Sequence, residues 1–329
     1  MPAMLTGRLL QALLVLLAVE LIAFLMFRHV GDPVVFLLGQ DATPAQAAAL
    51  RASLGLDRPV LEQYLAFLGR VLQGDLGLSL AQGMRVSRLL LERLPATLEL
   101  ALLACALALL AGLPLGMHVA LHPRALSARL AGAATLLGVS VPTFLIGIGL
   151  IHLFSVRLGW LPSFGRGEVV DLGEGWTTGL LTADGWRHLV LPVLTLAIFQ
   201  LALIVRLVAA GLREAMASEF VRFARARGLP ETRVRRHALR HALLPVMTVV
   251  GLQFGGLIAF SIITETVFQW PGLGLLFVQA VGAADVPVLA AYLGLTALVF
   301  VLVNLVVDLL QLWIDPRLRT AGRGAEVRA

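Results

Sequence analysis

Apolar positions gather into six long runs, each near the roughly 20 residues that a membrane-spanning helix needs. They lie near Leu9–Val30, Ala96–Ala120, Leu130–Val156, Leu189–Leu212, Leu243–Thr264 and Val286–Ile314. The polar stretches between them alternate in character. His122-Pro123-Arg124 to Arg129, Glu214–Pro245 and the tail after Asp315 carry Arg, whereas Arg157–His188 is Gly-rich, with Trp160, Trp176 and Trp186, and Glu265–Gly274 has no basic residue. Short Arg-bearing loops stay on the cytoplasmic side. Alternation then closes with both termini cytoplasmic, predicting an all-α integral membrane protein of about six transmembrane helices.

Composition sharpens this picture. Of 329 residues, 59% are hydrophobic and only 14% charged, against about 25% charged in a soluble domain. Mean hydropathy is +0.90. All 26 basic residues are Arg, which excludes a Walker A lysine, a Schiff-base lysine and a Ser–Lys dyad in this sequence. Cys105 is the single cysteine, leaving no disulfide framework or cysteine metal site. The Arg sit at membrane edges rather than in an aromatic-interleaved patch, so the basic balance does not argue for nucleic acid.

Taken in order, the first run follows Arg8, lacks a small-residue cleavage site and ends in Arg28-His29-Val30-Gly31-Asp32-Pro33, so it reads as a retained anchor. Glu20 lies in its middle. An intramembrane carboxylate is a functional candidate by default, and a protonated or paired Glu facing the bundle is the plainer reading. In Gly31–Arg93, Thr43 and Pro44 open a short helix as N-cap and first helical residue. Leu56-Asp57-Arg58-Pro59 breaks it, and Val60–Leu72 is a second amphipathic helix. Pro114 and Pro142 fall inside the second and third spans, where they permit kinks. Asn304 and Asp308 share one face of the sixth span; with Glu20 and Glu99 they are the intramembrane polar candidates.

Between Arg206 and His241 there are nine Arg and three Glu. Here Ser218–Arg227 (Ser218, Glu219, Phe220, Arg222, Phe223, Ala224, Arg225, Ala226, Arg227) forms a short helix stopped by Gly228 and Pro230. Phe220, Phe223 and Ala224 fall at i, i+3 and i+4, on one face. A second helix, Glu231–Leu244, leads back into the bilayer. Either the first helix rests its Phe on lipid and its Arg on headgroups, or it is a knob for a groove on a cytoplasmic partner. His237 and His241 have metal-compatible spacing, but Arg236 and Arg240 flank them and no third ligand is evident. No H-E-x-x-H, G-x-S-x-G or G-x-x-x-x-G-K-[ST] occurs, so no catalytic, cofactor-binding or metal residue is assigned. A proton-coupled secondary transporter using Glu20, Glu99 or Asp308 is one rival class; a structural membrane subunit is another.

One ordered set of blocks is specific. It runs from Leu54-Gly55-Leu56-Asp57-Arg58-Pro59 and Gly74-Asp75-Leu76-Gly77-Leu78-Ser79 through Leu94-Pro95-Ala96-Thr97-Leu98-Glu99-Leu100 and Leu158-Gly159-Trp160-Leu161-Pro162. It continues through Phe223–Gly228, Arg236–Arg240, Glu265–Gly274 and Asn304–Asp308 to Asp315-Pro316-Arg317. Over nearly its whole length the chain resembles permease subunits of bacterial ABC importers, in the dipeptide, oligopeptide and nickel branch. Their general loop reads E-A-A-x-x-x-G; here Arg222 replaces the acid, Phe223 replaces the first alanine, and Ala224 and Gly228 remain. The resemblance implies a type I importer-like fold in the bacterial inner membrane and a second homologous permease. It also implies two ATPase subunits that hold the ATP and magnesium, an external substrate-binding protein, and Ser218–Arg227 as the coupling helix. Peptide is the implied substrate; nickel, glutathione and oligosaccharide stay open. The expected division is a 1–30 anchor, a 31–93 external region, a 94–314 permease core with its coupling loop at 207–242, and a 315–329 cytoplasmic tail.

Overall fold

The computed structural model describes residues 2–29, 43–53, 56–79 and 81–314. The predicted end of the first run at Val30–Pro33, the Leu54-Gly55 pair and the Asp315–Ala329 tail lie outside them. Among the described residues the first three helices are α1 (Pro2–His29), α2 (Pro44–Ser53) and α3 (Val60–Leu72). Long α4 (Val86–Leu121) follows, then α5 (Leu126–Ser140) and α6 (Thr143–Leu150), which runs on as a π-helix over Ile151–Arg157. A two-residue antiparallel ribbon, β1 (Val170–Asp171) with β2 (Thr177–Thr178), precedes α7 (Ala183–Ala217). The chain closes with α8 (Glu219–Ala226), α9 (Glu231–Val267), α10 (Leu273–Gly282) and α11 (Val286–Ile314).

Among the described residues four helices, α1, α4, α7 and α11, are each long and apolar enough to cross a membrane. Two bent pairs bring the total to six if each is one span. Within the predicted run Leu130–Val156 the kink that Pro142 permits is large: α5 and α6 meet at 109°. Pro142 is the reason. It has no N–H to continue the ladder, and it holds Val141 in extended backbone (φ −89°, ψ 127°). The helix predicted at Glu231–Leu244 is continuous with the fifth span, whose axis bends by 44° between Leu243 and Val246.

Small residues position the core. Lipid tails are as apolar as Leu, so helices in a membrane gain from close packing rather than from hydrophobic exclusion. Accordingly α4 lays Ala104, Ala108, Gly112 and Gly116 along α7, all buried. A Cβ added at Gly116 would come within 2.7 Å of Val208 Cβ, and one at Gly112 within 2.9 Å of Ile204 Cγ2. The matched order, 112 with 204 and 116 with 208, makes the two helices parallel. On the other side, Gly251 and Gly255 of α9 receive Val307 and Phe300 of α11, in antiparallel order. Helix α1 runs antiparallel along α11, with Arg8 paired to Asp308 at 3.1 Å and Glu20 beside Gly294. The start of α1 and the end of α11 thus lie at the same end of the bundle as α8.

Local signals written in the sequence hold these pieces. At α2, Thr43 N donates to Gln46 Oε1 at 3.0 Å and Gln46 N donates to Thr43 Oγ1 at 3.4 Å, a reciprocal capping box. Amphipathic α3 lies on α1 through Phe24, whose ring is 5.5 Å from that of Tyr64 and 5.9 Å from that of Phe67. The Tyr64 hydroxyl donates to Leu17 O at 3.0 Å. Burial, and then the Glu20 carboxylate, push its pKa up, which keeps the donor protonated.

Candidate functional site

Two clusters stand at opposite ends of the bundle. The first is α8, the helix anticipated at Ser218–Arg227. Ser218 is extended (φ −74°, ψ 157°), and its hydroxyl donates back to Ala215 O at 2.5 Å, closing α7. Inward, Val221 is fully buried among Ala120 of α4, Ala209, Leu212 and Ala215 of α7, and Val234, Ala238 and Ala242 of α9. Ala224 and Leu229 pack against the same cluster. At the far end Gly228 takes φ +74°. Its N–H donates to Arg225 O at 2.9 Å and that of Leu229 to Ala224 O at 3.2 Å, a Schellman stop. Arg225 grips Glu231 at 2.7 Å across the turn, and Arg222 pairs with Glu219 at 2.8 Å.

Outward, Phe223 is 64% exposed, with the Arg227 guanidinium over its ring at 5.7 Å. Phe220 stands edge-on to His241, ring centres 5.8 Å apart. The single face expected for Phe220, Phe223 and Ala224 is therefore split. Ala224 turns toward Val221 and the core, and the phenylalanines form the outer rim. Glu219, Arg222, Arg225 and Arg227 are exposed around that rim, and Ala226 ends the helix.

At the other end lies a polar knot. Glu99 of α4 and Arg166 from the loop before β1 form a buried ion pair at 2.8 Å. Glu99 also accepts from Gly179 N at 3.2 Å, and Arg166 donates to Thr177 Oγ1 at 2.8 Å and Thr177 O at 2.7 Å. The Arg166 guanidinium lies 5.9 Å from the Trp270 ring centre, and Trp270 Nε1 donates to Ala96 O at 2.9 Å. One residue on, Thr97 Oγ1 donates to Glu265 Oε1 at 2.8 Å and accepts from Leu273 N at 2.8 Å.

Glu265 is wholly buried. It accepts from Ser261 Oγ at 2.9 Å and from Leu275 N at 3.0 Å, the latter a free donor in the first turn of α10. A carboxylate there also meets the positive end of the helix dipole. Gly272 admits no side chain: an added Cβ would lie 2.5 Å from both Glu265 Oε2 and Thr97 Oγ1. Nearby, Ser79 Oγ and Ala81 N donate to the buried Asp285 Oδ2, at 2.5 and 3.1 Å, fastening the segment before α4 onto the α10–α11 turn.

The four intramembrane polar candidates do not meet. Glu99 serves the knot, Asp308 pairs with Arg8, Asn304 donates to Phe300 O of its own helix at 2.8 Å, and half-buried Glu20 stands at the α1–α11 seam. Sequence reasoning passed over Arg166, Thr97, Ser261, Asp285 and Glu265 as site residues. The available signal was Gly272-Leu273-Gly274 following Glu265, since paired glycines mark a close backbone approach.

Comparison with known proteins adds the following. Residues 112–320 match the family model described as binding-protein-dependent transport system inner membrane component. Residues 1–101 match the N-terminal model of such a membrane component. The glutathione transport system permease protein GsiC of Escherichia coli O6:H1 is 38% identical over 315 residues, covering 95% of this chain and 97% of that protein. A putative peptide transport system permease protein of Brucella abortus (strain 2308) is 37% identical over 321 residues, covering 97% and 99%. Among solved structures, the inward-facing MetNI methionine ABC transporter aligns with a TM-score of 0.53 at 20% identity, over 69% of this chain and 96% of that chain. That likeness speaks for the fold alone.

Proposed function

This chain belongs to the inner-membrane permease components of binding-protein-dependent transport systems, and from that premise we propose that it forms half of an ATP-driven import pore for peptides. A second, homologous permease completes the pore. Two ATPase subunits hold the ATP and magnesium, and an external binding protein delivers substrate. The peptide assignment is supported by relatives named for glutathione, itself a small peptide, and for peptides. In this reading the chain is no enzyme; hydrolysis belongs to the partner subunits.

The observation that carries the proposal is Phe223. It is a large aromatic left exposed on a helix whose inner face is buried through Val221 and whose end is tied by the Arg225–Glu231 pair. An apolar anchor on a rigid element suits a groove on a partner, because little conformational freedom has to be lost on docking. Helix α8 then faces the cytoplasm, and ATP-driven closure of the ATPases pushes on its Phe220–Phe223 rim. The Val221 cluster passes that push to α4, α7 and α9 together. The test is Phe223→Asp in the reconstituted transporter. The variant is expected to insert and fold, since Phe223 supports none of the core, yet to lose substrate-stimulated ATP hydrolysis. Wild-type stimulation in this variant would falsify the proposal.

A further inference from the structure

The first three turns of α9 carry a second surface, distinct from α8. Val234, Ala238 and Ala242 are its buried line. Arg233, Arg236 and Arg240 are exposed, and at 3.6 residues per turn they fall within an arc of about 60° on the opposite side. They climb about 10 Å along the helix axis.

Charge on this face is unbalanced. Glu219 is paired with Arg222, and Glu231 with Arg225 and Arg235. Among the described residues no acid pairs with Arg233, Arg236 or Arg240. Like charges at i, i+3 and i, i+4 destabilise a helix, so the repulsion that is neutralised around α8 is left uncompensated here. The exposed line continues past the bend to Thr248 and Leu252, within the apolar part of the span. Guanidinium is the side chain best shaped to hold phosphate oxygens in a bidentate fork.

We propose that Arg233, Arg236 and Arg240 form a binding surface for the phosphate headgroups of anionic lipids, with the acyl chains lying along the span beyond the bend, where Leu252 is exposed. A lipid is the occupant that fits both halves of the surface. The charged half leads through the 44° bend into the apolar segment Val246–Gly256 of the same candidate span. This surface stands independently of the docking role of α8, because it uses other residues on another helix.

The experiment places the full-length chain in nanodiscs of equal parts phosphatidylcholine and phosphatidylglycerol. Spin-labelled analogues of each lipid report the immobilised fraction. The wild type is expected to hold phosphatidylglycerol in preference to phosphatidylcholine, with each arginine contributing about a fivefold factor at low salt. The variant R233Q/R236Q/R240Q should lose the preference, R233K/R236K/R240K should keep most of it, and R222Q on α8 should leave it unchanged. Added inorganic phosphate should compete no better than chloride at equal ionic strength; displacement by phosphate alone would assign a free-anion site and overturn the lipid assignment. An unchanged preference in the glutamine variant also overturns the proposal. If that variant keeps its lipid preference but fails to assemble with the ATPase subunits, the surface belongs to that interface instead.

Discussion

Glu99 and Arg166 show how a charge is kept inside a membrane protein. Each side chain is less than 10% exposed, and each has hydrogen bonds beyond the ion pair. Removing one partner strands the other, which costs about 3–5 kcal/mol, whereas replacing both by apolar residues of similar volume is far milder. Thermal unfolding of Glu99→Leu, Arg166→Met and the double variant should therefore show strong non-additivity, with the double more stable than either single. Simple addition of the two losses would sink this account. The same geometry weakens two of the three carriers in the proton-coupled rival, Glu99 and Asp308, since each is bound to an arginine, and leaves Glu20 untouched. Glu265 is held differently, by two hydroxyls and a backbone N–H, so its place in the fold depends on hydrogen-bond direction more than on a counter-charge.

At the scale of elements, α8 owes its outline to its stop. Gly228 at φ +74° is the turn that lets α9 begin three residues later. Gly228→Ala should destabilise the loop by about 1–2 kcal/mol, the cost of placing an L side chain in the left-handed region. No neighbour lies within 4 Å of the added Cβ, so the cost is conformational and not steric. Faster backbone amide exchange confined to α8 and the first turn of α9, with the polar knot unaffected, is the expected readout. Exchange unchanged from wild type would show that Arg225–Glu231 alone sets the turn. The α5–α6 corner obeys similar logic through Pro142, and there periodicity misleads: an apolar run looks the same whether or not its axis turns by 109°.

The molecule as a whole was legible where a signal is local and opaque where it is long-range. Apolar run length located the spans, Thr43 and Gln46 wrote their own cap, and Phe223-to-Gly228 with Pro230 marked α8 to within a residue at each end. Glu99 stood out as a buried acid, but its partner lies 67 residues away in a Gly-rich loop that carries no periodicity. Glu265 sits where a span ends and so reads as surface, although the α10 turn folds over it and buries it. The antiparallel seam of α1 on α11 was equally hidden, because lipid-facing and helix-facing residues are alike in polarity. It predicts that Arg8→Cys with Asp308→Cys, in a Cys105→Ala background, will be joined by a short bifunctional thiol reagent in native membranes. A negative result with both thiols shown to be reactive would detach α1 from α11.

The length of α7 has a mechanical meaning. Its 35 residues make a rod of about 52 Å, capped by Thr182 beside the polar knot and ending at Ser218 beside α8. The glycine seam with α4 grips this rod part-way along, in the position of a fulcrum. A rocking of about 5° about that seam, at Ile204–Val208, carries the Thr182 end about 3 Å and the Ser218 end about 1.5 Å, in opposite directions. Helix α9 returns from α8 to Glu265 with a 44° bend, so the two arms that leave α8 differ in shape. Under the proposed docking role, a thrust at Phe223 would be divided between the unbroken α7 and the bent α9, and the polar knot at the far end would receive it through both.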